Sequence, residues 1–232
     1  MQLSRRLKAV AESVTVGNRV ADVGCDHAYI SIYLIENGIA PQVIAMDVNK
    51  GPLERAGQNI ARRGYDTRIH TRLSDGLQGM EPGEADTILM AGMGGALMIR
   101  LLEKGLESVR KCRELVLQPQ SEIVLVRKYI HQTGFYIASE QMLKEDGKFY
   151  TVIRAVPGTG ERYERELFYR YGKLLLERYE PVLEEYLIRE RRLQLQVMAV
   201  LKQNPTENAA RRLQEVRQEL ESIEEALTYY KK

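Results

Sequence analysis

Three aspartates stand in or just beyond successive apolar runs of the sequence, a spacing that suits the binding of a nucleoside. Asp22 lies in the first run, and Asp47 and Asp75 follow the second and third. A carboxylate placed after a strand can accept hydrogen bonds from both hydroxyls of a ribose, and another can accept the amino hydrogens of an adenine. Independent surface carboxylates have no reason to recur at three strand ends, so the pattern favours a single binding site.

Glycines at two further strand ends would let a ligand approach the backbone. Gly24 closes the first run and precedes a predicted helix, whose first N–H groups are free to bind a ligand. The segment Ala91-Gly92-Met93-Gly94-Gly95 follows the fourth run, and its three glycines leave open backbone. A single glycine after a strand is more often a tight turn, but here glycines and carboxylates coincide, which favours a ligand cleft.

The elements that must position these residues alternate between apolar strands and helices. A short N-terminal helix is predicted over residues 3–14 from its helical apolar spacing. Predicted strands cover 20–24, 43–46, 67–71, 87–90 and 115–117, and predicted helices cover 28–36, 52–63, 96–103 and 121–132. This alternation predicts an α/β fold with a doubly wound, Rossmann-like parallel sheet. Ligands bind at the carboxyl ends of such strands, so the aspartates and glycines should meet there.

The second half of the chain changes pattern twice. Two β-prone runs, 136–139 and 150–153, flank the turn sequence Glu145-Asp146-Gly147-Lys148, which predicts an antiparallel hairpin at the sheet edge. Pro157-Gly158-Thr159-Gly160 reads as a linker, and beyond it the composition shifts to Glu, Arg, Leu and Tyr. We therefore predict one domain over residues 1–158 and a second over 161–232.

The second domain is predicted to be a helical coiled-coil hairpin. Residues 163–179 should form one helix that ends before Pro181. Two a/d stripes on either side of Asn204-Pro205 should then pack antiparallel. The later stripe is Leu213, Val216, Leu220, Ile223 and Leu227, and the earlier one is Leu193, Val197 and Val200. Packing within one chain is the usual meaning of such stripes, so a monomer is favoured, with dimerisation left open.

Composition excludes several classes of protein. The chain has 34 Lys and Arg against 32 Asp and Glu, a formal charge of +2, so no overall basic excess indicates a polyanion partner. Cys25 and Cys112 are far apart and lack metal-type spacing, which favours a reducing compartment and no metal site. No signal-peptide core or membrane-length apolar run is present. We expect a cytoplasmic protein without a membrane partner.

Four motifs in combination resemble a known family. They are Asp22-Val23-Gly24-Cys25-Asp26-His27-Ala28-Tyr29, Ala91-Gly92-Met93-Gly94-Gly95, Leu117-Gln118-Pro119 and Glu145-Asp146-Gly147-Lys148-Phe149-Tyr150. Together they are similar to the bacterial tRNA adenine-22 N1-methyltransferases, which are class I methyltransferases. The resemblance covers nearly the whole chain, including the helical tail. It implies S-adenosylmethionine as cofactor and tRNA as partner.

The resemblance also implies a role for each cofactor-binding residue. Asp22 and Gly24 would hold the methionine end of the cofactor, Asp47 the ribose, and Asp75 with Gly76 the adenine. Ala91, Gly92 and Gly94 would line the transfer site, and His27 and Val48 would also bind the cofactor. Many class I enzymes have glycines at alternate positions after the one that corresponds to Gly24. Here Asp26 and Ala28 stand there, which departs from the general pattern and fits the narrower family.

Four residues are candidates for chemistry on the acceptor. N1 of adenine carries an in-plane lone pair, so positioning and desolvation can supply much of the acceleration without a strong base. Asp26 or His27 could orient the amino group or accept a proton. Tyr29 could stack on an extruded adenine, and Gln118 could hydrogen-bond a base edge. Structural roles, in a helix terminus, the core or a strand cap, are the alternatives.

Basic clusters are the candidate phosphate contacts, because affinity for RNA comes largely from neutralised phosphates. They are Arg5-Arg6-Lys8, Arg62-Arg63, Lys104 and Arg110-Lys111-Arg113. The tail could also grip the tRNA. Ordinary solvated faces explain such clusters equally well.

Three other functions remain open at this point. An NAD-binding oxidoreductase would also use a glycine after the first strand and an aspartate after the second, although a Gly-x-Gly-x-x-Gly spacing is missing. A non-catalytic coiled-coil adaptor is a second alternative. A methyltransferase that acts on a protein or a metabolite is the third.

Overall fold

The computed structural model describes residues 3–158, 160, 162–203 and 206–231. The chain divides into two compact units, Met1–Arg162 and Tyr163–Lys232. Three parts of the predictions lie outside the described residues: Thr159 of the linker, residue 161 at the predicted start of the second domain, and the Asn204-Pro205 turn.

The first unit is built on a mixed sheet. Its strands are β1 (Val20–Val23), β2 (Val43–Asp47), β3 (Ile69–Leu73), β4 (Thr87–Met93), β5 (Glu114–Pro119), β6 (Phe135–Glu145) and β7 (Lys148–Pro157). Among the described residues they form a seven-stranded sheet in the order β3-β2-β1-β4-β5-β7-β6. The first five strands in this order are parallel, and β7 and β6 add an antiparallel hairpin at the edge. The predicted α/β sheet with an edge hairpin is confirmed.

The register of the central strands brings the predicted site loops to one level. Val23 at the end of β1 lies opposite Met46 of β2 and Met90 of β4. All four residues of β1 are buried, as expected for a strand at the centre of a parallel sheet. The loops that follow β1, β2 and β4 therefore leave the same edge of the sheet together.

The helices of the first unit follow the predicted alternation. They are α1 (Arg5–Glu12), α2 (Tyr29–Glu36), α3 (Lys50–Ala61), α4 (Gly95–Lys104), α5 (Leu106–Lys111) and α6 (Ile123–Gln132). The short helix α5 was not predicted, because six residues carry too little periodicity to separate a helix from a loop. Residues of α1, α2 and α3 pack with β1 and β2 in one apolar core.

Helix α1 is fixed at both ends. The buried carboxylate of Glu114 accepts hydrogen bonds from the Thr15 backbone N–H (2.8 Å) and from the Thr87 hydroxyl (2.7 Å), which ties the turn after α1 to the amino edge of the sheet. At the other end, the carboxylate of Glu145 in the edge hairpin accepts from the Arg5 backbone N–H at 2.6 Å. Because α1 runs back along β1, its N-terminus lies near the carboxyl edge, where the site loops are.

The second unit is helical. Its elements are α7 (Glu166–Tyr171), α8 (Lys173–Glu177), α9 (Pro181–Gln203), α10 (Glu207–Leu227) and a 3-10 turn, Thr228–Tyr230. Helices α9 and α10 contact each other, and the Arg191–Glu224 ion pair (2.6 Å) joins the middle of α9 to the last turn of α10. The two helices are therefore antiparallel.

Two predictions about this unit were wrong. The single helix predicted over 163–179 is two helices, because Gly172 adopts a positive φ of 88° between them. The earlier apolar stripe does not face α10, since Leu193, Val197 and Val200 are 37%, 38% and 59% exposed. The α9 positions that are buried are Leu183 and Leu187. Further along the same face of α9, the half-buried residues include Glu190 and Gln194. Because these residues are polar, the apolar pattern of the sequence did not show which face of α9 is buried.

The stripe on α10 was predicted better. Val216, Leu220, Ile223 and Leu227 are buried, and Leu213 is half-buried.

No helix in the described part of the chain is both long and apolar enough to cross a membrane.

Candidate functional site

The turn after β1 is held tightly against β2. The backbone N–H groups of Gly24 and Cys25 both donate to the carbonyl oxygen of Met46, at 2.8 and 3.0 Å. Gly24 has a φ of 77°, and a Cβ atom there would lie 2.9 Å from Cε of Met93. Asp26 and Ala28 also have positive φ values, 49° and 58°. Such backbone is uncommon for residues other than glycine and marks a constrained turn.

Asp22 is a buried carboxylate at the wall of this turn. It is 3% exposed, and its Oδ2 accepts a hydrogen bond of 2.6 Å from the hydroxyl of Ser31, which is itself buried. Burial raises the pKa of Asp22 to about 6, although the Ser31 hydrogen bonds oppose the shift. A carboxylate buried in this way is suited to bind a cationic group of a ligand, because the positive charge would offset the negative charge of Asp22.

A cavity of about 260 Å³ opens beside Asp22 at the carboxyl edge of the sheet. It brings together seven predicted site residues: Asp22, Gly24, Asp26, His27, Tyr29, Ala91 and Gly92. Four more residues line it without having been assigned to a ligand-binding pocket: Arg6, Leu7, Cys25 and Ile30. The loops after β1 and β4 thus form one pocket, as the strand order requires.

The ring side chains of the turn are ordered against one another. His27 and Tyr29 stack with 5.2 Å between ring centroids and 16° between ring planes. Nε2 of His27 lies 3.6 Å from a carboxylate oxygen of Asp26, and the amide of Asn59 donates to the His27 carbonyl oxygen at 3.1 Å. Tyr29 is 41% exposed, so part of this stack is accessible from outside.

The loop after β4 provides open backbone opposite the turn. The register between β4 and β5 shifts between Ala91 and Met93, and Gly92 in this bulge has a φ of 80°. A Cβ atom on Gly92 would lie 3.5 Å from Nη1 of Arg6. Gly94 follows the bulge and begins α4 as its N-cap; it does not line the cavity.

The side chain of Arg6 is held over the cavity by two contacts from other elements. Its Nη1 donates to Oε1 of Gln118 at 2.8 Å, and its guanidinium carbon lies 5.5 Å from the ring centroid of Tyr150. Gln118 is fully buried, and its Oε1 also accepts from Gln120 at 3.1 Å. The contact observed for Gln118 is therefore with Arg6; a direct contact with a base edge stays a prediction.

The residues predicted to hold a ribose and an adenine do not line this cavity. Oδ1 of Asp47 accepts from the Asn49 backbone N–H at 2.8 Å, and the carbonyl oxygen of Asp47 accepts from the Ser74 N–H at 2.9 Å. Val48 is exposed. The second hydrogen bond joins the loops after β2 and β3, so Asp47 and the Asp75-Gly76 pair sit on adjacent loops of the same edge.

Asp75 is already paired. Nζ of Lys104 in α4 lies 2.8 Å from its Oδ2, and this hydrogen bond lowers the pKa of Asp75. Gly76 has a φ of 61° and packs against Leu101, to which a Cβ atom would come within 2.7 Å. The pair leaves Oδ1 of Asp75 as an acceptor.

The chain is similar to known methyltransferases. A family of methyltransferase domains matches residues 3–153. A tRNA (adenine(22)-N(1))-methyltransferase of Bacillus subtilis is 38% identical over 158 residues, which are 68% of this chain and 66% of that protein, slightly less than two thirds of its length.

The chain belongs to this methyltransferase domain family.

Solved structures extend the comparison to the helical tail. The Bacillus subtilis tRNA methyltransferase TrmK matches 97% of this methyltransferase and 99% of its own chain, at 31% identity and a TM-score of 0.86. A Streptococcus pneumoniae protein in complex with S-adenosyl-L-methionine matches 97% of this chain and all of its own, also at 31% identity and a TM-score of 0.86. The resemblance noted in the sequence motifs is confirmed.

Membership in the methyltransferase family counts against one of the three alternatives left open above. The NAD-binding oxidoreductase is set aside, because the match covers the turn after β1 and the loop after β4 as one methyltransferase domain.

Among the described residues, no group of three His, Cys, Asp or Glu side chains is arranged to hold a metal ion.

Arg6 is the residue of the site whose position sequence reasoning missed. From the sequence, Arg6 was predicted only as part of a basic cluster that could contact phosphates. One signal in the sequence could have located Arg6. A helix that is joined to the first strand by a short turn runs antiparallel to that strand, so the N-terminal residues of the helix lie near the carboxyl edge of the sheet. Leu7 reaches the cavity for the same reason.

Proposed function

We propose that this methyltransferase transfers the methyl group of S-adenosylmethionine to N1 of an adenine in tRNA, at the position equivalent to adenine 22. The single observation that carries the proposal is the cavity in which Asp22, Arg6 and the open backbone of Gly24 and Gly92 meet the turn carrying Asp26, His27 and Tyr29. The name of the Bacillus subtilis relative supplies the acceptor.

The residues of the cavity fit the methionine end of this cofactor. The buried carboxylate of Asp22 suits the α-ammonium group, and the guanidinium of Arg6 suits the α-carboxylate, since Arg binds carboxylates through a planar fork of donors. Gly24 supports the fit, because a side chain on it would collide with Met93. Gln118 and Tyr150 hold Arg6 in place and thus act as positioning residues.

Residues on the neighbouring loops fit the adenosyl end. Asp47 would accept hydrogen bonds from the ribose hydroxyls, with Val48 beside it, and Asp75 would accept from the adenine amino group next to Gly76. Lys104 fixes the carboxylate of Asp75 through one oxygen and leaves the other for the ligand.

The cofactor supplies an electrophilic methyl group on a sulfonium, which a nucleophile must approach in line. The protein therefore has to place N1 of the adenine opposite that group and exclude water. Ala91 and Gly92, with Gly94 behind them, bound the transfer site on one side, and the stacked rings of His27 and Tyr29 bound it on the other. The exposed face of Tyr29 is suited to stack on an adenine that has left its helix.

Methylation of N1 leaves a positive charge on the base. A carboxylate near the base stabilises that charge as it develops, and Asp26 lies beside His27 in the turn. We assign Asp26 to this electrostatic role and to orienting the amino group, and His27 to accepting a proton from it when the cationic product returns to neutrality.

We propose a cytoplasmic location, which the proposed tRNA substrate and the two free, buried cysteines support. We keep the division proposed from the sequence, with the methyltransferase domain over 1–158 and the helical domain over 161–232. The helical domain is proposed to contribute to binding of the tRNA by a monomeric protein.

Labelled cofactor and unmodified bulk tRNA test the proposal directly. The protein is incubated with both, and the modified nucleoside is identified by mass spectrometry and mapped in digested tRNA. We expect label in 1-methyladenosine at one position. Label in protein or in small molecules, with none in tRNA, would overturn the acceptor while leaving the methyltransferase assignment intact. Asp26→Asn is the matched variant: it should bind the cofactor normally and transfer the methyl group more slowly.

A further inference from the structure

A second cavity shares Tyr29 with the cavity beside Asp22, which we call the catalytic pocket. It has a volume of about 300 Å³ and is lined by Tyr29, Ile32, Asn59, Arg62 and Arg63. Tyr29 and Ile32 lie on α2, and the other three lie at the end of α3 or just beyond it. Any group in this cavity touches the residue that we assign to stacking on the target adenine.

The walls of this cavity are already fixed by contacts. Asn59 donates to the carbonyl oxygen of His27 at 3.1 Å, which ties the end of α3 to the catalytic turn. Arg63 is ion-paired with Glu36 of α2. Arg62 is exposed and forms no ion pair with any residue that the structure describes. The cavity therefore has a rigid frame and one uncompensated positive charge.

The other basic clusters are largely neutralised by neighbouring carboxylates. Lys104 pairs with Asp75 at 2.8 Å, Arg110 with Glu107 at 3.3 Å, Arg113 with Asp86 at 3.4 Å and Lys8 with Glu12 at 3.6 Å. Arg6 is held inside the catalytic pocket. Arg62 thus differs from these residues in lying next to the pocket without a carboxylate partner.

We propose that this second cavity binds a backbone phosphate of the RNA strand next to the target adenine, with Arg62 as its main contact. This inference rests on the proposed function. An adenine drawn into the catalytic pocket stays bonded to its neighbours, so a flanking phosphate has to lie within about one nucleotide of the pocket mouth. A cavity that shares Tyr29 with the pocket, and that carries an unpaired guanidinium, meets that requirement by position and by charge.

A purely structural role for Arg62 makes a different prediction. Arg62 is the C-cap residue of α3, and a cation at a helix C-terminus stabilises the helix through its dipole. On that explanation, removal of the charge would lower the melting temperature and leave the kinetics with tRNA unchanged. On ours, the Michaelis constant for tRNA changes.

The test compares three variants of the full chain with the wild type. Arg62→Gln removes the charge, Arg62→Lys keeps it, and Arg55→Gln is the control, because it removes one charge from an exposed position of the same helix that lines neither cavity. Initial rates of methyl transfer are measured against tRNA concentration at several salt concentrations. Cofactor affinity is measured by calorimetry, and thermal unfolding is recorded for each variant.

We expect Arg62→Gln to raise the KM for tRNA on the order of fivefold, with kcat and cofactor affinity unchanged, and to reduce the slope of log affinity against log salt by about one. Arg62→Lys should retain most of the affinity. If Arg62→Gln matches Arg55→Gln in both KM and salt slope, the phosphate site is rejected and the proposed function stands. If the wild-type chain methylates no tRNA, the substrate and this site are rejected together.

Discussion

At the scale of single residues, the ionisation of Asp22 affects both stability and the cofactor binding that we propose for it. Its carboxyl group is 3% exposed, and burial raises its pKa from the usual value of 3.8 to about 6. The folded protein therefore holds the Asp22 proton more tightly than the unfolded chain does. As pH rises from about 4 to about 6, ionisation of Asp22 lowers the free energy of unfolding. The ionised form is nevertheless the one that binds an ammonium group.

This conflict predicts a pH dependence of cofactor affinity. The dissociation constant of S-adenosylmethionine, measured by calorimetry, should be about tenfold higher at pH 5 than at pH 7.5, because one pH unit below the pKa protonates about nine tenths of the carboxyl groups. Asp22→Asn should bind more weakly at pH 7.5, lose most of this pH dependence and unfold at a higher temperature.

Arg6→Gln is the matched control for this prediction. It removes the proposed contact with the cofactor carboxylate, so it should weaken binding while keeping the same pH dependence. An Asp22→Asn variant with the wild-type pH profile would show that another group titrates.

At the scale of secondary-structure elements, the site depends on how the edge hairpin is attached. Arg127 of α6 and Glu140 of β6 form an ion pair of 2.7 Å in which the two side chains are 2% and 0% exposed. The same hairpin carries Glu145, whose carboxylate binds the first turn of α1 and so supports Arg6. A buried pair far from the cavity thus supports a residue inside it.

Removal of one partner of this pair should be costly, because the other charge would remain buried. We expect Arg127→Met to lower the free energy of unfolding by about 3–5 kcal/mol, measured in urea. The double variant Arg127→Met with Glu140→Leu should recover most of the loss, since an apolar pair leaves no buried charge. A single variant as stable as the wild type, or a double variant less stable than the single one, would contradict this account.

Sequence reasoning performed well for elements whose pattern is local. The strands β1, β2 and β4 were predicted within a few residues, because buried parallel strands are short apolar runs bounded by turn residues. It performed poorly where the pattern was short or ambiguous. Helix α5 has six residues, and the phase of α9 was misassigned because Glu190 and Gln194 lie near its seam.

At the scale of the whole molecule, the chain consists of two compact units. The described residues proposed to bind the cofactor all lie in the unit Met1–Arg162, which has its own apolar core. The unit Tyr163–Lys232 has a separate set of buried side chains on α9 and α10. Cofactor binding should therefore depend little on the second unit, whereas binding of a large RNA should depend on both.

A chain that ends at residue 162 tests this division. We expect it to bind S-adenosylmethionine within about twofold of the full chain, because its site residues are retained. Its KM for tRNA should rise on the order of tenfold, because binding at two linked sites is lost. Circular dichroism and cofactor affinity serve as controls for folding. An unchanged KM in a folded, cofactor-binding truncation would exclude a role of the tail in RNA binding.

The sequence by itself determined the sheet, the methyltransferase family, and which carboxylates and glycines stand at the strand ends. These are properties of short segments: an apolar run followed by Asp or Gly marks a strand end wherever the strand lies in space. Tertiary structure decided which distant segments meet. It placed Arg6 over Gly92, bound it to Gln118 and Tyr150, and set Arg62 beside Tyr29. Those contacts join residues far apart in the chain, and their pairing follows from how helices pack on a sheet, which no local pattern records.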